Sequence, residues 1–251
     1  MPFFTREYQW MAYVGSIISS IIGFYVLGKL LKRYKTRKTK VLRYVVGMMA
    51  CLAFAAFVDF FAFTIDRTNV LDPNLNDRLN PIGLGSAISF SLNAVANIYI
   101  LLFDKNVFRS KKKTQWMNVV IIAELVVVFG LITSTYTSLE IVYFTLIHVL
   151  CSLIIFVVLA LDSHLLKQRL VKDKGGHTAE SRALQMISYS GIVFIVAISS
   201  FVLHEVFLMT DLLQEYWTVA LGWILASLGG FLLYLGYVIP DWIRKRWEKR
   251  I

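Results

Sequence analysis

Charge is scarce in this chain. Of its 251 residues only 17% are Asp, Glu, Lys or Arg, where a soluble domain normally carries about 25%. Apolar residues reach 57% against a usual value of about 45–50%, and mean hydropathy is +0.64. These figures exclude a soluble enzyme and a disordered chain. Cysteine is nearly absent too: Cys51 and Cys151 both lie inside apolar blocks. That excludes a disulfide-rich secreted scaffold, supplies no metal cage, and leaves the pair as packing residues. The sequence lacks a Gly-x-Ser-x-Gly nucleophile elbow, a Gly-x-x-x-x-Gly-Lys phosphate loop, and any His-x-x-x-His or His-Glu-x-x-His zinc spacing, so no common hydrolase signature is legible. Internal repeats and low-complexity segments are missing as well.

What is present is a succession of long apolar blocks. Crossing the hydrocarbon of a bilayer takes about 20 residues of helix, and seven blocks qualify: 9–31, 41–65, 81–103, 116–134, 139–161, 184–209 and 216–239. All are too long for barrel strands and none alternates with period two. Helix is the conformation that satisfies backbone polar groups within each segment. The expected fold is therefore all-α, a single polytopic domain over residues 1–251 with seven transmembrane helices. An odd span count does not divide into a clean pair of inverted halves, which weighs against the commonest transporter plan. Thr135–Ser138 is expected to close a tight hairpin between the fourth and fifth blocks. The polar stretch Asp66–Asn80 lacks the spacing of a calcium loop and reads as a solvated turn.

The cations are unevenly placed. Lys32, Arg33, Lys35, Arg37, Lys38 and Lys40 follow the first block. Lys105, Arg109 and Lys111–Lys113 follow the third, Lys167, Arg169, Lys172, Lys174 and Arg182 the fifth, and Arg244–Arg246, Lys249 and Arg250 the seventh. The opposite side has Arg6, Arg67 and Arg78, a split of 23 to 3 among the 26 Lys and Arg. This bias predicts an N-terminus outside and a C-terminus in the cytoplasm of a multi-pass cell-membrane protein. The first block, preceded by one basic residue and longer than a signal sequence, is expected to stay as a span. The net charge of +10 thus becomes a stripe facing an anionic inner leaflet. No nucleic-acid partner is expected, because the aromatic residues sit in the spans and not among the loop cations.

Apolar attraction between helices is weak in lipid, so small residues must let backbones approach. Gly15-x-x-x-Ser19-x-x-x-Gly23, the Gly83–Ala96 stretch and Gly222-x-x-x-Ala226-x-x-x-Gly230 place such residues on the first, third and seventh spans. Those three spans are expected in the bundle interior.

Ionisable groups in a bilayer are costly and point to function. Counting about 1.5 Å per residue puts Glu124 and His148 near the midplane on adjacent spans, with Asn93 at similar depth and Asn97 one turn on. Asp59 and His204-Glu205 lie nearer the outside. Two readings stay open. Glu124, His148, Asp59, His204 and Asn93 line a pocket that binds a small ligand, ion or proton; or they make separate interhelical hydrogen bonds, Glu124 with His148 and Asp59 with Asn93 or a hydroxyl. No metal ligand set is assigned. Zinc on two histidines and carboxylates is the basis of the alternative reading as a hydrolase. Retinal is excluded because residues 216–239 contain no lysine for a Schiff base.

The seventh block ends Tyr234-Leu-Gly236-Tyr-Val-Ile-Pro240-Asp-Trp242-Ile-Arg244-Lys245-Arg246-Trp247. This resembles the exit of the seven-helix N-terminal sensor region of prokaryotic membrane histidine kinases, where Tyr-x-Gly is followed by Pro, Trp and arginines. The resemblance covers about a dozen residues. It implies a sensor or receptor-like module, non-enzymatic in itself. No kinase segment follows here, so its output would pass to a separate cytoplasmic signalling partner. A membrane-exit anchor explains the same residues: Pro ends the helix and Trp with Arg sits at the headgroups. The remaining alternatives are a metal-dependent intramembrane hydrolase using Asp59, His148, His204 and Glu205, and a small-solute or proton transporter.

Overall fold

A computed structural model describes the backbone of residues 4–68, 81–109, 114–134, 141–174, 176, 178–210, 217–239, 243 and 247. Side chains are described within that set except at 4–9, 66–68, 81–83, 134, 141–142 and 204–210. Among the described residues the secondary structure is seven helices and no strand: α1 Phe4–Thr36, α2 Lys40–Thr68, α3 Pro81–Val107, α4 Gln115–Ser134, α5 Ile141–Lys174, α6 Ala179–Thr210 and α7 Trp217–Val238. All seven are long and apolar enough to cross a membrane. The Thr135–Ser138 hairpin, most of the Asp66–Asn80 turn and most of the Pro240–Arg246 exit lie outside the described residues.

Successive helices pack side by side and α7 returns to α1, so the seven close into a ring; α3 also reaches across to α5. The antiparallel order gathers the ends of α1, α3, α5 and α7 and the starts of α2, α4 and α6 at one end, hereafter the basic end. The surface is inside-out relative to a soluble protein. Phe129, Val119, Ile21, Ile122 and Leu150 point outward with 61–70% of their surface exposed, while Ser, Asn, Glu and His are buried. Such an apolar exterior is stable only against lipid, and the chain has a multi-pass membrane architecture.

Several helices outrun the apolar blocks from which they were expected. α1 continues through Lys32 and Arg33, α3 to Val107 and α5 to Lys174. Lys and Arg are good helix formers, and cations favour a helix C-terminus, so hydropathy falls while the helix persists. Most of the expected third basic loop is consequently the last three turns of α5. Its residue-long remnant closes tightly: Gly176 N donates to Val171 O at 3.1 Å. Thr178 then caps α6, its Oγ1 accepting from Ser181 N at 3.2 Å while Ser181 Oγ accepts from Thr178 N at 2.9 Å, a reciprocal cap. At the far end of α7, Ile239 takes a φ of 41°, a left-handed conformation that strains a β-branched residue. It stops the helix just before Pro240. Arg33 Nη1 donates to the carbonyl of Val238 at 2.8 Å, satisfying one of the orphan acceptors there.

The small residues act as close-approach points. A Cβ on Gly15 would stand 2.7 Å from Ala220 Cα, on Gly23 2.9 Å from Ala53 Cβ, and on Gly230 3.1 Å from Met49 Sδ. Ser19, between the first two, donates to Trp223 O at 2.7 Å and pins α1 to α7. The expectation that spans one, three and seven are interior needs correction for the last. Half of the spanning window of α3 is buried and 44% of that of α1, but α7 matches α2, α5 and α6 at 39%. In a ring, small residues mark tight interfaces between neighbours and need not mark a central helix. The larger hydrophobic cluster, with Leu30, Leu42, Met48, Ile100, Met117 and Leu159, fills the basic half. A smaller one of Ala12, Ala55, Ala56, Val219 and Trp223 joins α1, α2 and α7 toward the other end.

Candidate functional site

A polar knot sits in the middle of the bundle where α3, α4 and α5 meet. Glu124 on α4 has no solvent exposure. Its two oxygens are both engaged: Asn97 Nδ2 of α3 donates to Oε1 at 2.7 Å, and His148 Nδ1 of α5 lies 3.0 Å from Oε2. Asn97 Nδ2 donates also to Ser152 Oγ, one turn along α5 from His148, at 2.7 Å. Three helices are thereby joined through one carboxylate and one amide. The spacing follows from helical geometry, since His148 and Ser152 at i and i+4 share a face. An ionised carboxylate only accepts, so the amide NH2 of Asn97 and the N–H at Nδ1 of His148 must turn toward it. This leaves Nε2 as the nitrogen of His148 open to proton or ligand exchange.

Beside the knot is a cavity of about 60 Å³, lined by Asn93, Asn97, His148 and Ser152 on one side and by Phe156, Phe194, Phe201 and Trp223 among others on the rest. It has room for a few waters or a very small ligand. Its walls are held by aromatic contacts: Phe156 stacks on Phe194 at 4.5 Å, Phe201 meets Trp223 edge-on at 5.5 Å, and Phe90 approaches the His148 ring at 6.1 Å. Trp223 is 3% exposed and its indole Nε1 completes no hydrogen bond. A buried donor left in that state costs about 1–3 kcal/mol.

The five residues expected to bind a ligand are therefore only partly gathered. Glu124 and His148 are bonded to each other, and Asn93 shares the cavity wall with His148. Asp59 stands apart from that wall, its carboxylate facing Ser89 and the indole of Trp223. Trp223 thus lies between the carboxylate and the cavity. The hydroxyl partner expected for Asp59 is Ser89, while Asn93 serves the cavity instead. The side chains of His204 and Glu205 lie outside the described residues. Among the described residues, no three His, Cys, Asp or Glu side chains converge as metal ligands would; Cys51 and Cys151 are free thiols.

A second ionic cluster, absent from the expected site, lies at the basic end. Arg109 forms a two-pronged pair with Asp162 of α5, donating through Nε to one oxygen and through Nη2 to the other, the latter at 2.9 Å. Its Nε also lies 3.4 Å from Asp104 Oδ2 of α3. The guanidinium carbon sits 5.3 Å from the Trp116 ring. Asp104 is 1% exposed and neither of its oxygens completes a hydrogen bond. The clamp ties α3 and α5 together a few turns beyond Asn97 and Ser152. Both aspartates fall one residue past the expected ends of their apolar blocks, at 103 and 161, where sequence reading assigns carboxylates to solvent. The useful signal was an unpaired acid within a stretch otherwise made of cations.

Comparison of the chain with protein-family models, with curated proteins and with solved structures gave no match.

Proposed function

We propose that this protein is a receptor-like membrane sensor. A proton, or a small ligand that changes the protonation of the His148–Glu124 couple, acts in the cavity, and the result is carried to the basic ends of α3 and α5. The observation that carries this reading is the knot itself: a carboxylate fully withdrawn from solvent, held by an imidazole whose other edge borders a cavity. Moving one charge in a medium of low dielectric is worth far more than in water, so a change of protonation there repacks α3 against α5. Both helices lead from the knot to the Asp104–Arg109–Asp162 clamp. With 34 residues α5 is about 51 Å long, well beyond the about 30 Å of hydrocarbon, and delivers movement past the membrane surface.

In this proposal the basic end faces the cytoplasm by the positive-inside bias, the N-terminus is outside, and a separate cytoplasmic partner reads the loops. The resemblance of the α7 exit to histidine-kinase sensor regions supports the same direction of signalling. The protein itself performs no chemistry in this reading.

The test uses the full-length protein in liposomes with nitroxide labels replacing Lys105 and Leu166, and distances measured by pulsed electron resonance between pH 5 and 8. The wild-type background is expected to show a pH-dependent shift in the distance distribution, and Glu124→Gln with His148→Gln to abolish it. A distribution that ignores pH in the wild type, or that shifts equally in the double variant, refutes the proposal.

A further inference from the structure

On the outer surface of the ring α1 and α7 diverge enough to leave a lateral groove of about 510 Å³, lined by Ile21, Ile22, Tyr25, Ile224, Leu228 and Phe231, with Ser227 at its floor. Its walls are apolar, and Ile21, Tyr25, Ile224 and Leu228 are exposed, so it opens sideways to the surrounding lipid. The end of the groove toward the basic face is chemically different. Lys29, one turn beyond Tyr25, holds its ammonium 5.3 Å from the centre of the Tyr25 ring. Tyr234, one turn beyond Phe231, has Lys29, Tyr25 and Arg33 in its electrostatic neighbourhood. Lys32 follows on the same exposed side of α1. Among the described residues neither Lys29 nor Lys32 is paired with a carboxylate.

We propose that this groove is a binding site for an anionic phospholipid. An acyl chain lies between α1 and α7 along Ile21, Ile224 and Leu228, and the headgroup phosphate is held by Lys29 and Lys32 with the Tyr25 and Tyr234 hydroxyls beside it. The argument is complementarity of charge and depth. A hydrocarbon slot closed at one end by two unpaired ammonium groups matches a molecule with an apolar tail and one negative charge at its head. A helix from a second copy would fill the slot and leave the cations unmatched. Phenol hydroxyls and ammonium groups together donate to phosphate oxygens, and each basic residue near an anionic headgroup contributes about 1 kcal/mol, or about a fivefold change in binding. The site is distinct from the cavity beside Glu124, and its occupancy does not depend on how that cavity is used.

Native mass spectrometry of the delipidated full-length protein, titrated with phosphatidylglycerol and phosphatidylcholine of identical acyl chains, tests this. The wild type is expected to retain phosphatidylglycerol with about a tenfold preference. Lys29→Gln lowers that preference about fivefold, and adding Lys32→Gln brings it near unity. Ile224→Trp, at an exposed position where folding is undisturbed, fills the slot and reduces retention of both lipids. Equal retention of the two lipids by the wild type, a preference unchanged by Lys29→Gln, or full retention by Ile224→Trp overturns the proposal. So does a dimer that Ile224→Trp dissociates, which would assign the groove to a second copy.

Discussion

Replacing Asn97 by Leu is the sharpest test of the central knot. The side chains are similar in volume, so the loss is chiefly of polar contacts: one bond to Glu124 Oε1 and one to Ser152 Oγ, each 2.7 Å. Interhelical hydrogen bonds in membranes average about 0.6 kcal/mol, which sets a floor of about 1.2 kcal/mol for the two. The ceiling is higher because Glu124 is completely buried, and a buried acceptor without its partner costs about 1–3 kcal/mol, more when charged. Asn97→Leu is thus expected to destabilise the bundle by about 1–3 kcal/mol. Coupling is the decisive part. Glu124→Met alone orphans donors on both Asn97 and His148, whereas combining it with Asn97→Leu leaves only the imidazole N–H unmet. The double variant should be less destabilised than the sum of the single variants by about 1 kcal/mol or more. Steric trapping in bicelles measures all three unfolding free energies. Additive losses, or a cost below about 0.5 kcal/mol for Asn97→Leu, would show that Glu124 does not depend on Asn97 and would sink the reasoning.

Three further outcomes are expected. Gly85→Ala brings a methyl carbon 2.3 Å from Ala62 Cβ, whereas Gly28→Ala meets nothing within 4 Å. The first should destabilise by about 1–3 kcal/mol through overpacking and the second stabilise by about 0.5–1 kcal/mol through helix propensity, as read by thermal unfolding in detergent. Arg109→Gln strips the counter-charge from two aspartates and should cost about 3 kcal/mol, while Asp104→Asn, which relieves one of two acids facing a single guanidinium, should be nearly neutral; equal losses would refute the clamp. Elemental analysis of the purified protein should find no stoichiometric zinc, and one bound zinc per chain would instead favour the hydrolase reading.

Hydropathy and the distribution of lysine and arginine made the helix number legible, because both are properties of long segments and tolerate local error. The Glu124–His148 pair was legible for a related reason: two ionisable groups at similar depth on consecutive spans have few other places to find partners. Asn97 and Ser152 were harder, since serine and asparagine are common in such helices and nothing local distinguishes a bridging amide from one facing a backbone carbonyl. Trp223 was hidden by its bulk, which reads as packing until its unmet N–H is seen beside a cavity. The Asp104–Arg109–Asp162 clamp was invisible for a physical reason. Hydropathy ends a span where charge begins, but a helix can continue into the interface and bury acids that an averaged profile assigns to water. The place of α7 in the ring depends on which neighbours close the circle, and no single span encodes that.

The way α7 stops has a mechanical implication. An unbroken helical shaft would pass rotation and piston strokes onward as one rigid lever. Ile239, kinked to a left-handed turn, interrupts that shaft. The Arg33 strap to Val238 meanwhile yokes the stump of the last helix to the first. Torsion is dissipated at this joint, and what travels onward is the tilt of α1 and α7 moving as one.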